Sequence, residues 1–159
     1  MFCFVYVWPQ VYLGSYQVTV DNHFLEDTPE KLYSRGDFNK ATMLAGFNKD
    51  EGTMYPYFIY PAYVKSETPP PINRTELESF ISGMLMVYGY DHDIVNEAVF
   101  HEYVEWTKAD DPSADFFRSL VDFAGDFSFI CPTDKMIREH DAAGDRIYKY
   151  YFTHEVMST

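Results

Sequence analysis

Apolar residues fall along this chain in two kinds of pattern. Lys40 to Phe47, KATMLAGF, is almost uninterrupted after its lysine and shows no alternation, which is how a strand covered on both faces reads. Arg146 to Phe152, RIYKYYF, is aromatic and β-prone and predicts a second strand. Between them the apolar positions recur at helical spacing. Leu77, Ile81, Met84, Leu85 and Tyr88 form one such series, and Val95, Val99, Tyr103 and Trp106 a second. A third starts at Asp111-Pro112 and runs through Phe116, Leu120 and Ala124, with Gly125 and Pro132 as interruptions. A strand, a long helical excursion and another strand predict α/β architecture with a largely parallel sheet. So few strands do not readily make an independent sheet, so the pattern reads as a piece of something larger.

Polar and special residues punctuate these runs. Asp27 to Gly36, DTPEKLYSRG, predicts a short helix: Asp27 or Thr28 can cap the first amides, Pro29 suits the first turn and Gly36 the exit. Ser66 to Thr75, SETPPPINRT, is a break, because three consecutive prolines favour an extended segment and end any preceding helix. Thr75 and Glu78 have the spacing of a capping box for the next helix. DHD, Asp91 to Asp93, reads as the turn and cap of the one after, and Gly144 as the exit before the second strand.

Composition narrows the class. At 159 residues the chain suits one ordinary domain, and an aromatic content of 19% is not that of a disordered tail. The formal charge of −13, with only 12 scattered Lys and Arg, argues against nucleic acid as a partner. No apolar run approaches the ~20 residues of a membrane helix. The opening MFCFVYVWPQ lacks a basic residue before its apolar run and a clear small-residue cleavage site, so it makes a poor signal peptide. Two cysteines, Cys3 and Cys131, cannot build a metal cluster and leave the redox compartment open.

The candidate chemistry begins at LAGFNKDEGT, Leu44 to Thr53, where an apolar run ends on two adjacent carboxylates and a glycine. In open α/β sheets functional groups sit in loops beyond the carboxyl ends of strands, which is where Asp50 and Glu51 fall. Consecutive side chains in a loop diverge, so at most one of them faces a site; the plainer reading is a solvated loop with a helix cap. A catalytic carboxylate is commonly partnered by a histidine, and five are present: His23, His92, His101, His140 and His154. Glu97, His101 and Glu105 share one helical face, which reads as a charge-paired surface; no metal site is expected. No G-x-S-x-G elbow occurs, and Cys131, in apolar surroundings before a proline, reads as structural. Asn73-Arg74-Thr75 fits the N-glycosylation pattern.

VDNHFLEDTPEKLYSRGDF, LAGFNKDEGT, FHEYVEWTKADDP, GDFSFICP and RIYKYYFTHE occur in the order and spacing of the C-terminal part of cholinesterases and other type-B carboxylesterases, which the chain resembles over Val18 to Thr159. Residues 1–17 are unmatched. The resemblance implies a partial α/β-hydrolase fold that lacks the N-terminal part of its sheet and the extreme C-terminus. It also implies that Glu51 is the acid of a Ser-Glu-His triad, following the fold's chain order of serine, acid, histidine. His154 matches a non-catalytic position. Only one triad member of three lies in these residues, so the chain alone is expected to be inactive.

Further implications follow from the same resemblance. Cys131 matches a cysteine that pairs with one near the family's C-terminus, which implies an oxidising, secreted or cell-surface setting. Met54 departs from the aromatic residue that cholinesterases place there to hold a quaternary ammonium, while Tyr55 keeps an aromatic next to it at the acyl pocket. The substrate expected of the complete protein is a small ester, choline esters included; no cofactor is implied, and the family's helices imply homo-oligomers. A non-catalytic cholinesterase-like adhesion or interaction protein is the alternative reading. A serine elbow upstream and a histidine downstream would decide for the enzyme.

Overall fold

A computed structural model describes residues 19–90 and 92–154. They divide into two compact units. One joins the described residues up to Lys49 with those from Phe127 onward; the other is Asp50–Asp126, a single continuous stretch.

The first unit opens with α1, Pro29–Arg35, capped by the Thr28 hydroxyl, which accepts the Lys31 N–H, and closed by Gly36 in the left-handed conformation at φ 70°. Strand β1, Met43–Asn48, then pairs in parallel with β2, Ile147–Phe152, in a register that sets Met43 against Ile147 and Asn48 against Phe152. The parallel pairing is the one the sequence predicts. The coverage is not: Phe47 is buried, but Leu44 is 70% exposed and Tyr148, Tyr150, Tyr151 and Phe152 are all exposed. Among the described residues β1 and β2 pair only with each other. Helix α7, Cys131–Ala142, packs on both strands, and the Lys149 ammonium donates to Asp134 at 2.8 Å.

The second unit is helical. After a 3-10 turn, Glu51–Thr53, come α2, Met54–Ile59, and α3, Pro61–Lys65; the proline-rich stretch then runs extended to α4, Arg74–Val87. The capping box of α4 lies two residues earlier than the Thr75/Glu78 pair the sequence suggests. Asn73 Oδ1 accepts the Glu76 N–H at 3.0 Å, and Glu76 Oε2 accepts the Asn73 N–H at 2.8 Å. Both pairs have the same spacing, and Asn is the stronger cap. The preceding Ile72 is held by Asp115 Oδ1, which accepts its N–H at 2.9 Å, and is fully buried, so the chain enters the helix there.

Helix α5, Asp93–Tyr103, is capped by His92, whose Nδ1 accepts the Ile94 N–H at 3.3 Å; Asp91, the other half of that predicted turn, lies outside the described residues. Helix α6, Phe117–Gly125, starts later than Asp111-Pro112 suggests, because residues 111–116 form turns. Leu77, Ile81 and Leu85 of α4 and Leu120 and Ala124 of α6 have no exposed surface, and with Phe80 and Phe123 they make the core of this unit. Neither Gly125 nor Pro132 breaks the chain's helical course. A π-helical turn, Asp126–Ile130, follows α6, and Pro132 sits in the first turn of α7.

Candidate active-site loop

Beyond Asn48 the chain enters the turn that carries both carboxylates, and the two have different surroundings. Asp50 accepts hydrogen bonds from the Arg118 guanidinium of α6, which also grips Asp122 one turn further along that helix. Arg118 is held firmly protonated by these two carboxylates. Asp50 therefore points at a structural partner. Glu51 follows it as the first residue of the 3-10 turn and is half-buried.

Gly52 explains how the turn is held. It is buried, and a Cβ built on it would lie 2.0 Å from the Val121 carbonyl oxygen and 2.6 Å from the Gly125 amide nitrogen, both in α6. Only a glycine permits that backbone approach. A Cβ on Gly125 would in turn meet the Gly52 nitrogen at 3.3 Å, so two glycines face one another. The turn is docked by backbone contact at Gly52 and by the Asp50–Arg118 pair one residue before Glu51. The contact at Gly52 was not legible in the sequence, since Arg118 and Gly125 lie 68 and 73 positions beyond their partners and carry no local signal.

The turn runs directly into α2, which places Met54 and Tyr55 just after Glu51. Met54 is half-buried; Tyr55 is buried, with its ring edge-to-face with Phe80 at 5.8 Å. Tyr88 is nearby: burial, with a smaller contribution from Tyr55, raises its phenol far above the ordinary range, so it stays neutral. The segment after Glu51 is thus an apolar, aromatic wall.

The other predicted residues are dispersed. Cys131 opens α7 and is buried; Cys3 lies outside the described residues. Glu105 is not on α5 with Glu97 and His101: it immediately precedes a short 3-10 turn, Trp106–Lys108, and pairs with Lys108 at 2.8 Å. Among the described residues no three His, Cys, Asp or Glu side chains converge as metal ligands. His154 is exposed beyond β2.

One polar cluster went unforeseen. In the first unit His140 is buried, with Nδ1 2.7 Å from Asp145 Oδ2 and Nε2 3.5 Å from the Tyr33 hydroxyl, beside the Phe38 ring. Both ring nitrogens are engaged, which makes this a pin between α1, α7 and the approach to β2.

Comparison with known proteins completes the description. A family model described as the carboxylesterase family matches residues 5–159. The acetylcholinesterase of Bungarus fasciatus is 29% identical over 139 residues, covering 87% of this chain and 22% of that protein. The acetylcholinesterase of Myxine glutinosa is 25% identical over 148 residues, covering 93% of this chain and 42% of that protein. The chain spans between about a fifth and about two-fifths of the length of these curated relatives.

Proposed function

Because this chain belongs to the carboxylesterase family, whose members are carboxylic-ester hydrolases of the α/β-hydrolase fold, we propose that it contributes the triad acid, Glu51, to a serine esterase. The serine and the histidine would come from parts of the complete protein outside these 159 residues. The observation that carries the reading is the docking of the Glu51 turn: Gly52 seats it on α6, and the Asp50–Arg118 pair fixes the residue just before Glu51. In this mechanism the serine oxygen attacks the ester carbonyl while the histidine takes its proton. The Glu51 carboxylate accepts the imidazole N–H, fixes the tautomer and stabilises the imidazolium. The histidine then protonates the departing alcohol, and water hydrolyses the acyl-enzyme by the same relay.

Tyr55 would line the acyl side of the pocket, and Met54 the position where cholinesterases hold the quaternary ammonium. A thioether offers no aromatic face to a quaternary ammonium, so small acyl esters are favoured over choline selectivity. The acetylcholinesterase likeness and the expected pairing of Cys131 with a cysteine elsewhere support a secreted or cell-surface protein. Among the described residues no helix is long and apolar enough to cross a membrane.

The test is kinetic. In the full-length protein Glu51→Gln keeps the size of the side chain and removes its charge; the analogous Asp→Asn change in a serine-protease triad costs about 10⁴ in turnover, and a kcat loss on the order of 10³ to 10⁴ is expected. KM should change little. Asp50→Asn should stay within roughly tenfold, about 1.4 kcal/mol of barrier. If Asp50→Asn is the crippling change and Glu51→Gln retains activity, the acid is misassigned. If both the unmodified protein and its variants are inert toward esters, the adhesion reading takes its place.

A further inference from the structure

We propose that Asn73 is an N-glycosylation acceptor, and that it carries its glycan without giving up the helix cap it forms. Asn73-Arg74-Thr75 is the one Asn-X-Ser/Thr tripeptide in the sequence. It lies where the extended stretch ends and α4 begins, and both Asn73 and Thr75 are exposed, as are residues 66–71 before them.

The geometry divides the Asn73 side chain between two tasks. Its Oδ1 accepts the Glu76 N–H, and its main-chain N–H donates to Glu76, so the cap uses the oxygen and the backbone. Nδ2, the atom that glycosylation modifies, makes no hydrogen bond among the described residues, and neither does the Thr75 hydroxyl that completes the acceptor motif. Arg74 does not crowd them: its guanidinium is engaged by Glu78 at 3.0 Å and lies 5.2 Å from the Phe100 ring centroid. Asn73 and Thr75 border an open cleft of ≈ 410 Å³ whose far wall includes Asp111, Pro112 and Ala114, which leaves space for a first sugar ring.

The co-reactant is a lipid-pyrophosphate-linked oligosaccharide, available in a secretory lumen. A bond forms between Nδ2 and the anomeric carbon as the bond from that carbon to the pyrophosphate oxygen breaks. The lipid pyrophosphate leaves, together with one proton from the amide. The product keeps Oδ1 as an acceptor, so the bond from Glu76 N–H survives. The inference is independent of the role of Glu51.

The experiment is translation of the full chain, behind a cleavable leader, in the presence of endoplasmic-reticulum microsomes. Leader removal reports entry into the lumen, and peptide N-glycosidase reports the glycan; neither readout requires a folded product. One glycan is expected on the unmodified chain and none on Thr75→Ala or Asn73→Asp. A leader-cleaved product with no glycosidase-sensitive shift overturns the proposal, as does a shift that persists in Thr75→Ala. For the cap, the full-length protein is compared by thermal unfolding. Asn73→Asp retains the capping oxygen, while Asn73→Ala loses it and should melt lower. Equal melting of the Asp and Ala variants would overturn the division of labour between the two atoms.

Discussion

Gly52→Ala is the substitution that reaches the candidate acid most directly without touching it. The new Cβ would sit 2.0 Å from the Val121 carbonyl oxygen, where ordinary contact begins at 3.4 Å. Something must move by about 1.4 Å along that line. Helix α6 has little room to retreat, because Leu120, Val121, Phe123 and Ala124 are all buried in the core. The obstructing atoms belong to backbone, so no side-chain rotation relieves the clash. The 3-10 turn therefore shifts and takes Glu51 with it. A 1 Å misplacement in a catalytic constellation costs about 10²-fold, so kcat for a small acyl ester should fall on the order of 10² in the full-length enzyme, about 2.7 kcal/mol of barrier. KM should stay near its original value, since Glu51 touches histidine and not substrate. Overpacking should also cost roughly 1–3 kcal/mol of stability. Kinetics must be measured well below the melting temperature, with folding checked by circular dichroism. A Gly52→Ala enzyme with unchanged kcat and unchanged melting temperature would refute the docking argument.

Two predictions concern stability alone. Gly83 lies inside α4, and a Cβ there meets nothing within 4 Å. Gly83→Ala should thus stabilise the protein by about 0.5–1 kcal/mol through helix propensity, read as a higher denaturant midpoint; a lower midpoint would show the position to be packed. Lys149 first, and then Arg138, hold the Asp134 carboxyl below its ordinary range. A depressed folded-state pKa contributes stability that is present above the unfolded value of about 3.9 and is lost as pH falls through the folded value. Asp134→Asn should therefore lower the melting temperature at about pH 6 and have little effect near pH 2, and an equal loss at both would exclude the ion pair as its cause.

How far the sequence foretold the structure depends on whether a signal was local. Thr28, Pro29 and Gly36 each state a preference that one short helix satisfies, and α1 appears where they place it. The series Leu77, Ile81, Met84 and Leu85 fixes which face of α4 is buried, because burial and helical period share one geometry. KATMLAGF specifies a strand but not its neighbours, so Leu44 reads as interior and is exposed. The capping box was misplaced because two registers, two residues apart, offer similar residues, and the winner is set by Asp115, more than forty positions away, holding Ile72. At the site, NKDEG marked the loop beyond β1. That Asp50 pairs with Arg118 could not be read, since the two are adjacent only in three dimensions.

The parallel pairing of β1 with β2 has a kinetic side. Met43 meets Ile147, so the sheet closes a loop of about a hundred residues, and on a polymer estimate that closure costs about 4 kcal/mol of chain entropy beyond a constant. During synthesis β1 emerges first and must wait without its partner until β2 has been made, some 5 to 20 seconds at a rate of about 5–20 residues per second. Asp50–Asp126 is contiguous and rich in local helical contacts, and it can condense in that interval. Its collapse shortens the effective loop before the strands meet. The order of events would then be inside first: the segment inserted between the two strands folds early, and the sheet that brackets it is the last element to close.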